Sequence, residues 1–234
     1  MNFTILKSTD SYTFLSFESN MLQNNVLISI TDELISIYEK YFGIVPNPFI
    51  LINTYDMEDA PIVYKSFKTI FTCCPTSNPL QFVYQLSHEL CHWMIPENVH
   101  PKLRWLDETI AVSASFFFSS RVTIFPKKEI VRYLNSQTQN IIPVQLNELF
   151  ISNSPTLQIL EHGSTNFTDY SRYKSISLNM INAIQHNPLF WKAVPYLCNV
   201  TPEIQLQKSI DFWLSLLPDE STALALINVF NSLR

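Results

Sequence analysis

The chain has 234 residues, of which 47% are hydrophobic, 13% aromatic and 15% charged, a balance that excludes a disordered chain and suffices for one domain or a small domain pair. Only two glycines occur, Gly43 and Gly163, too few for a phosphate-cradling loop, a dinucleotide fingerprint or a nucleophile elbow. Fifteen Lys and Arg against twenty Asp and Glu give a net charge of −5; with no basic run beyond Lys127-Lys128, no nucleic-acid partner is expected.

At the N-terminus, Lys7, Asp10 and Glu18 are scattered among Ser and Thr. No apolar segment there resembles a signal peptide, and no run of about 20 apolar residues follows, so a cytoplasmic protein without membrane contact is expected. Phe3 to Phe17 reads as two short strands. From about Asn20, Leu27, Ile30, Leu34, Ile37, Tyr38 and Tyr41 recur at helical spacing until Gly43. The apolar run Pro48 to Tyr55 suits a buried strand. After an acidic loop, Val63 to Cys74 reads as another, closed by Pro75 at a sheet edge.

The remainder reads mainly as helix, over 79–94, 102–120, 127–136, 168–186, 188–198, 202–216 and 219–233, with Pro, Asn and Ser between. The fold class expected is α+β: a small, mostly antiparallel or mixed sheet with a helix in the N-terminal part, then a helical C-terminal part, with a cleft between. A boundary in the Pro96 to Pro101 loop divides 1–98 from 99–234 within one compact domain. The four cysteines, Cys73, Cys74, Cys91 and Cys198, form no CxxC pair, which excludes a zinc ribbon and argues against a disulfide framework.

The segment Leu86-Ser-His88-Glu89-Leu-Cys-His92-Trp-Met contains HExxH inside an expected helix. Four residues apart, His88 and His92 share one helix face and can share one metal ion, while Glu89 projects about 100° away. Two imidazoles, an open coordination position and an adjacent carboxylate are what metal-assisted hydrolysis requires. Phe82, Val83, Leu86, Leu90, Trp93 and Met94 make the helix strongly apolar, so the imidazoles are expected to be buried, where a metal ion gives them a partner. A third protein ligand is needed, and two candidates lie within reach: Glu108, sixteen positions beyond His92 on the next expected helix, and His100 in the intervening loop. Cys91 is expected to fill core space, and Phe116-Phe117-Phe118 to pack the second helix.

The pair HELCH and WLDETIA resembles the gluzincins, zinc peptidases with HExxH plus a downstream glutamate. By size the chain is similar to the minigluzincins and small peptidase-MA-like domains, which share the catalytic core of thermolysin. The resemblance implies a zinc metallopeptidase acting on peptides or proteins, with His88, His92 and Glu108 as zinc ligands and Glu89 as general base. It also implies that a tyrosine at the start of the 168–186 helix, Tyr170 or Tyr173, donates a hydrogen bond to the tetrahedral intermediate. His162, beside Gly163, is a further candidate for that task. Thr109 stands where many relatives have glycine, and Val112 where an acidic partner of a ligand histidine often stands, so an orienting group such as Asp107 is expected instead. The alternative reading is a non-catalytic zinc-binding regulatory or protein-interaction module on the same scaffold; the presence of Glu89 favours the enzyme.

Overall fold

The computed structural model describes residues 4–16, 21–54, 60–139, 141–163 and 167–234. The strand ends expected at Phe3, Phe17 and Tyr55, the helix start at Asn20 and the acidic residues 56–59 lie outside the described residues. The chain divides into two units, Met1–Met94 with Ala114–Ser136, and Ile95–Ser113 with Gln137–Arg234.

Alternation of apolar and polar residues builds the sheet of the first unit. It comprises β1 (Thr4–Ser8), β2 (Tyr12–Ser16), β3 (Phe49–Asn53), β4 (Ile62–Tyr64) and β5 (Thr69–Thr72), in the order β1-β2-β3-β5-β4. The expected α+β class with a mixed sheet is thus found: β2, β3 and β5 run parallel, while β1 and β4 pair antiparallel at the edges. Phe14 is in register with Leu51, and Leu51 with Ile70, so these three fully buried side chains form one row on the core face. The parallel step from β2 to β3 is made through α1 (Met21–Phe42). In α1, Leu27, Ile30, Leu34 and Tyr38 are buried at three- and four-residue spacing. Gly43 ends it at φ 72, its N–H bonded to the Glu39 carbonyl at 2.9 Å, a left-handed cap that glycine adopts without strain.

The single strand expected over Val63 to Cys74 is two strands, β4 and β5, joined by a tight 3-10 turn at Lys65–Phe67. Lys68 closes the turn at φ 51, with no Gly, Asn or Pro to signal it. The outer strand β4 therefore takes the edge position, and β5 lies inside the sheet.

The helix α2 (Pro79–Met94) matches its expected bounds. The Asn78 side chain accepts the Gln81 N–H at 3.3 Å, and Pro79 follows at the first helical position. Phe82 of α2 stacks on Phe14 with ring centroids 5.8 Å apart. Next come α3 (Arg104–Ser119), preceded by a 3-10 turn at Pro101–Leu103, and α4 (Lys127–Ser136). Phe116, Phe117 and Phe118 are buried, packing edge-on or tilted against Tyr84, Tyr41 and Tyr38 in turn. The first unit thus closes its core with the C-terminal half of α3.

The second unit holds the N-terminal half of α3 with α5 (Pro155–Glu161), α6 (Phe167–His186), α7 (Phe190–Ala193), α8 (Leu206–Ser215) and α9 (Glu220–Asn231). The sequence reading missed α5, although Ser154-Pro155 is a start signal: the Ser154 hydroxyl accepts the Leu157 N–H at 3.1 Å. The helix expected over 188–198 is a short α7 that tightens into 3-10 at Val194–Asn199; Pro195, with no N–H to donate, prevents regular continuation. Leu226 and Val229 of α9 are fully buried, as are Phe190 and Trp191 of α7. The Trp213 indole donates to the Ala193 carbonyl at 3.0 Å. On α6, Tyr173, Ile176, Met180 and Ile184 form the inner face, and the Ser113 hydroxyl donates to Ser177 at 2.9 Å, tying α3 to α6. No helix among the described residues is long and apolar enough to cross a membrane.

Candidate metal centre

His88 and His92 lie on the last turns of α2 and are buried, 8% and 9% exposed, with Glu89 at 3%. Their burial follows from the apolar sequence around them: Phe82, Val83, Leu86 and Leu90 are almost wholly removed from water. Side-chain hydrogen bonds to neighbouring segments hold this helix at three levels. Gln85 bonds both main-chain groups of Cys73, accepting its N–H at 2.9 Å and donating to its carbonyl at 3.2 Å, as an added strand would. The Tyr38 hydroxyl donates to the carbonyl of Ser87, the residue before His88. The Trp93 indole donates to the Asn47 carbonyl at 2.8 Å. Tyr38 is fully buried, and that burial, reinforced by Cys91 and Glu89, raises its pKa well above the ordinary phenol range, so it remains a donor.

The Nε2 atoms of His88 and His92 face each other at 3.2 Å. Two ligands of a tetrahedral metal with bonds of about 2.0–2.1 Å are about 3.3 Å apart, so the imidazoles already stand at the separation that a shared ion needs. A carboxylate oxygen of Glu108, on α3, completes the group: the three ligand atoms lie within 4.8 Å of one another. Neutral imidazole nitrogens and a carboxylate form a donor set suited to a divalent transition ion, zinc included. His88, His92 and Glu108 can therefore hold a metal ion.

The other expected residues fall into place around this group or away from it. His100 is exposed, and its Nδ1 accepts the Lys102 N–H at 3.2 Å, capping the 3-10 turn before α3. Of the two candidate third ligands, Glu108 joins the histidines and His100 does not. Asp107 and Glu108 are both half-buried. Thr109 is buried, its hydroxyl returned to the Trp105 carbonyl at 2.7 Å, and Val112 is fully buried. Cys91 is fully buried, as expected of a residue that fills core space. His162 is exposed at the end of α5, its Nδ1 2.8 Å from the Gln158 carbonyl.

The two tyrosines of α6 differ. Tyr170 is half-buried, with the Lys174 ammonium 5.2 Å from its ring centroid. Tyr173 is 2% exposed. Its pKa is pushed up to about 12, first by burial and then by the negative charges of Asp169 and Glu108, against a smaller opposing pull from Arg104 and Arg172. Tyr173 is thus the more enclosed of the pair, with Glu108 acting on its phenol. The supporting groups Tyr38, Gln85 and Gly163 were not singled out as site residues from sequence. Only Gly163 carried a signal, as one of two glycines in the chain. No family model matches this chain, and no curated protein matches it either.

Proposed function

We propose that this protein is a zinc-dependent metallopeptidase, hydrolysing peptide bonds with a glutamate general base. The observation that carries the reading is the convergence of His88, His92 and Glu108 ligand atoms within 4.8 Å, with buried Glu89 next to His88 in sequence. His88, His92 and Glu108 would hold the ion, and zinc in such a site supplies Lewis-acid polarisation and a lowered pKa for water. Glu89 takes a proton from the attacking water and passes it to the leaving amine. Tyr173, kept protonated by its environment, donates a hydrogen bond to the oxygen on which negative charge develops; it is preferred to Tyr170 because it is the more deeply enclosed of the two, with Glu108 acting on it.

A peptide substrate is supported by β4. This strand packs along α2 in the first unit, pairs only with β5 among the described residues, and so leaves an outer row of main-chain groups. An extended peptide can pair there by strand addition. Four cysteines without a disulfide between them, two of them buried, support a reducing, cytoplasmic setting.

The test is metal content and peptide-library cleavage by wild type, Glu89→Gln and His92→Ala. Near-stoichiometric zinc is expected in wild type and Glu89→Gln and lost in His92→Ala. Cleavage by Glu89→Gln should fall by about 10²–10⁴-fold, the usual contribution of a positioned acid–base group. Zinc-replete wild type that cleaves no faster than Glu89→Gln would make the protein a non-catalytic zinc module instead.

A further inference from the structure

Gly163 follows α5 and precedes α6 in the second unit, and its φ is not in the left-handed region, the only such glycine among the described residues being Gly43. Its lack of a side chain therefore answers to space. A Cβ built there would lie 2.7 Å from the Tyr173 hydroxyl oxygen, 3.1 Å from the Leu160 carbonyl and 3.3 Å from the Asp169 carboxyl carbon. The first distance is shorter than any stable carbon–oxygen contact. Tyr173 is 2% exposed, so its ring cannot swing into solvent to relieve the clash. The other two walls are also fixed: Leu160 belongs to α5, and Asp169 is paired with Arg172 at 2.6 Å. The Tyr173 hydroxyl thus occupies the volume that any other residue at 163 would fill.

We propose that Gly163 is a positioning residue: the niche left by its missing side chain sets the Tyr173 hydroxyl for its part in peptide hydrolysis. The proposal rests on the peptidase reading and on the role given there to Tyr173. A donor held in a close-fitting niche needs little reorganisation as charge develops on the substrate, which is the condition under which a single hydrogen bond contributes most. Alanine at 163 would displace the hydroxyl by a few tenths of an ångström or more, while the three atoms nearest the new methyl group belong to Tyr173, Leu160 and Asp169 and not to His88, His92, Glu108 or Glu89.

The experiment compares Gly163→Ala, Tyr173→Phe and the double variant with wild type and Glu89→Gln, each as the full chain loaded with zinc. Three quantities are read: kcat and KM on a cleaved peptide, bound zinc, and the NMR signal of Tyr173 in protein labelled at tyrosine Cζ, assigned by its loss in Tyr173→Phe. Gly163→Ala should lower kcat about as much as Tyr173→Phe, about 10²–10³-fold for one donor to an oxyanion, with KM nearly unchanged and zinc retained. Its Tyr173 signal should move. The double variant, which has no hydroxyl to collide with, should fold as well as Tyr173→Phe and be no slower. An unmoved Tyr173 signal in Gly163→Ala overturns the niche. Full kcat in Gly163→Ala or in Tyr173→Phe, or an equal further loss when Gly163→Ala is added to Tyr173→Phe, overturns the positioning role while leaving the peptidase reading intact. A wild type no faster than Glu89→Gln overturns the peptidase reading and the positioning role with it.

Discussion

Removing the metal should soften this protein without unfolding it. The donors His88 and His92 stand on a helix whose Phe82, Val83, Leu86 and Leu90 are at most 1% exposed, each contributing about 1.5–3 kcal/mol by burial. The same helix is bonded to its surroundings through Tyr38, Gln85 and Trp93, and none of these interactions passes through an ion. With the two Nε2 atoms 3.2 Å apart before binding, little of the binding free energy goes into assembling the site. With free zinc at a thousand times Kd, binding adds about 4.1 kcal/mol, which at about 2–4 °C per kcal/mol for a chain of this size is a rise of roughly 8–16 °C in Tm. The assay is thermal unfolding followed by near-ultraviolet circular dichroism, with and without chelator. Wild type and Glu89→Gln should show the full difference, and His92→Ala little of it. A chelated protein that loses its aromatic signal at 25 °C, or a zinc-dependent shift in His92→Ala equal to that of wild type, would refute the reasoning.

Tyr38→Phe removes the donor to the Ser87 carbonyl in a fully buried position and should cost about 1–2 kcal/mol in urea unfolding, with zinc content unchanged; a loss of zinc at unaltered stability would show that the bond acts on the ligand turn instead. Because the Tyr173 phenol titrates near 12 in the fold and near 10 when unfolded, both states are protonated below pH 10. Above that the unfolded chain releases its proton first, so stability falls as pH rises from about 10 to about 12. Urea midpoints over that range should drop less steeply in Tyr173→Phe than in wild type.

Much of the candidate site was legible because its chemistry follows helical periodicity. The four-residue interval between His88 and His92 places both on one face whatever the surrounding fold, and Pro79, Pro96 and Pro101 mark where the helices around them start and stop. Glu108 was readable as a candidate ligand because the connection after His92 is short. What stayed hidden depends on contacts remote in sequence. Nothing in Lys65 to Lys68 announces a reversal, since a lysine takes up the left-handed geometry that glycine or asparagine usually marks. Tyr170 and Tyr173 are three residues apart and alike in type, and only the packing of α6 distinguishes the half-buried ring from the enclosed one. Gly163 gives no sign in sequence of the hydroxyl that abuts it, because Tyr173 lies ten positions away across the start of another helix.

The residues that anchor α2, at 82, 85, 86, 90 and 93, are not the residues that carry its candidate metal donors, at 88 and 92, or the carboxylate at 89. Scaffold and coordination chemistry are therefore separable on this helix. Exchanging the imidazole at 92 for a thiolate or a carboxylate would retune ion preference toward softer or harder metals, leaving the hydrophobic frame to be inherited unchanged, which makes the segment a natural cassette for engineering new metal reactivity.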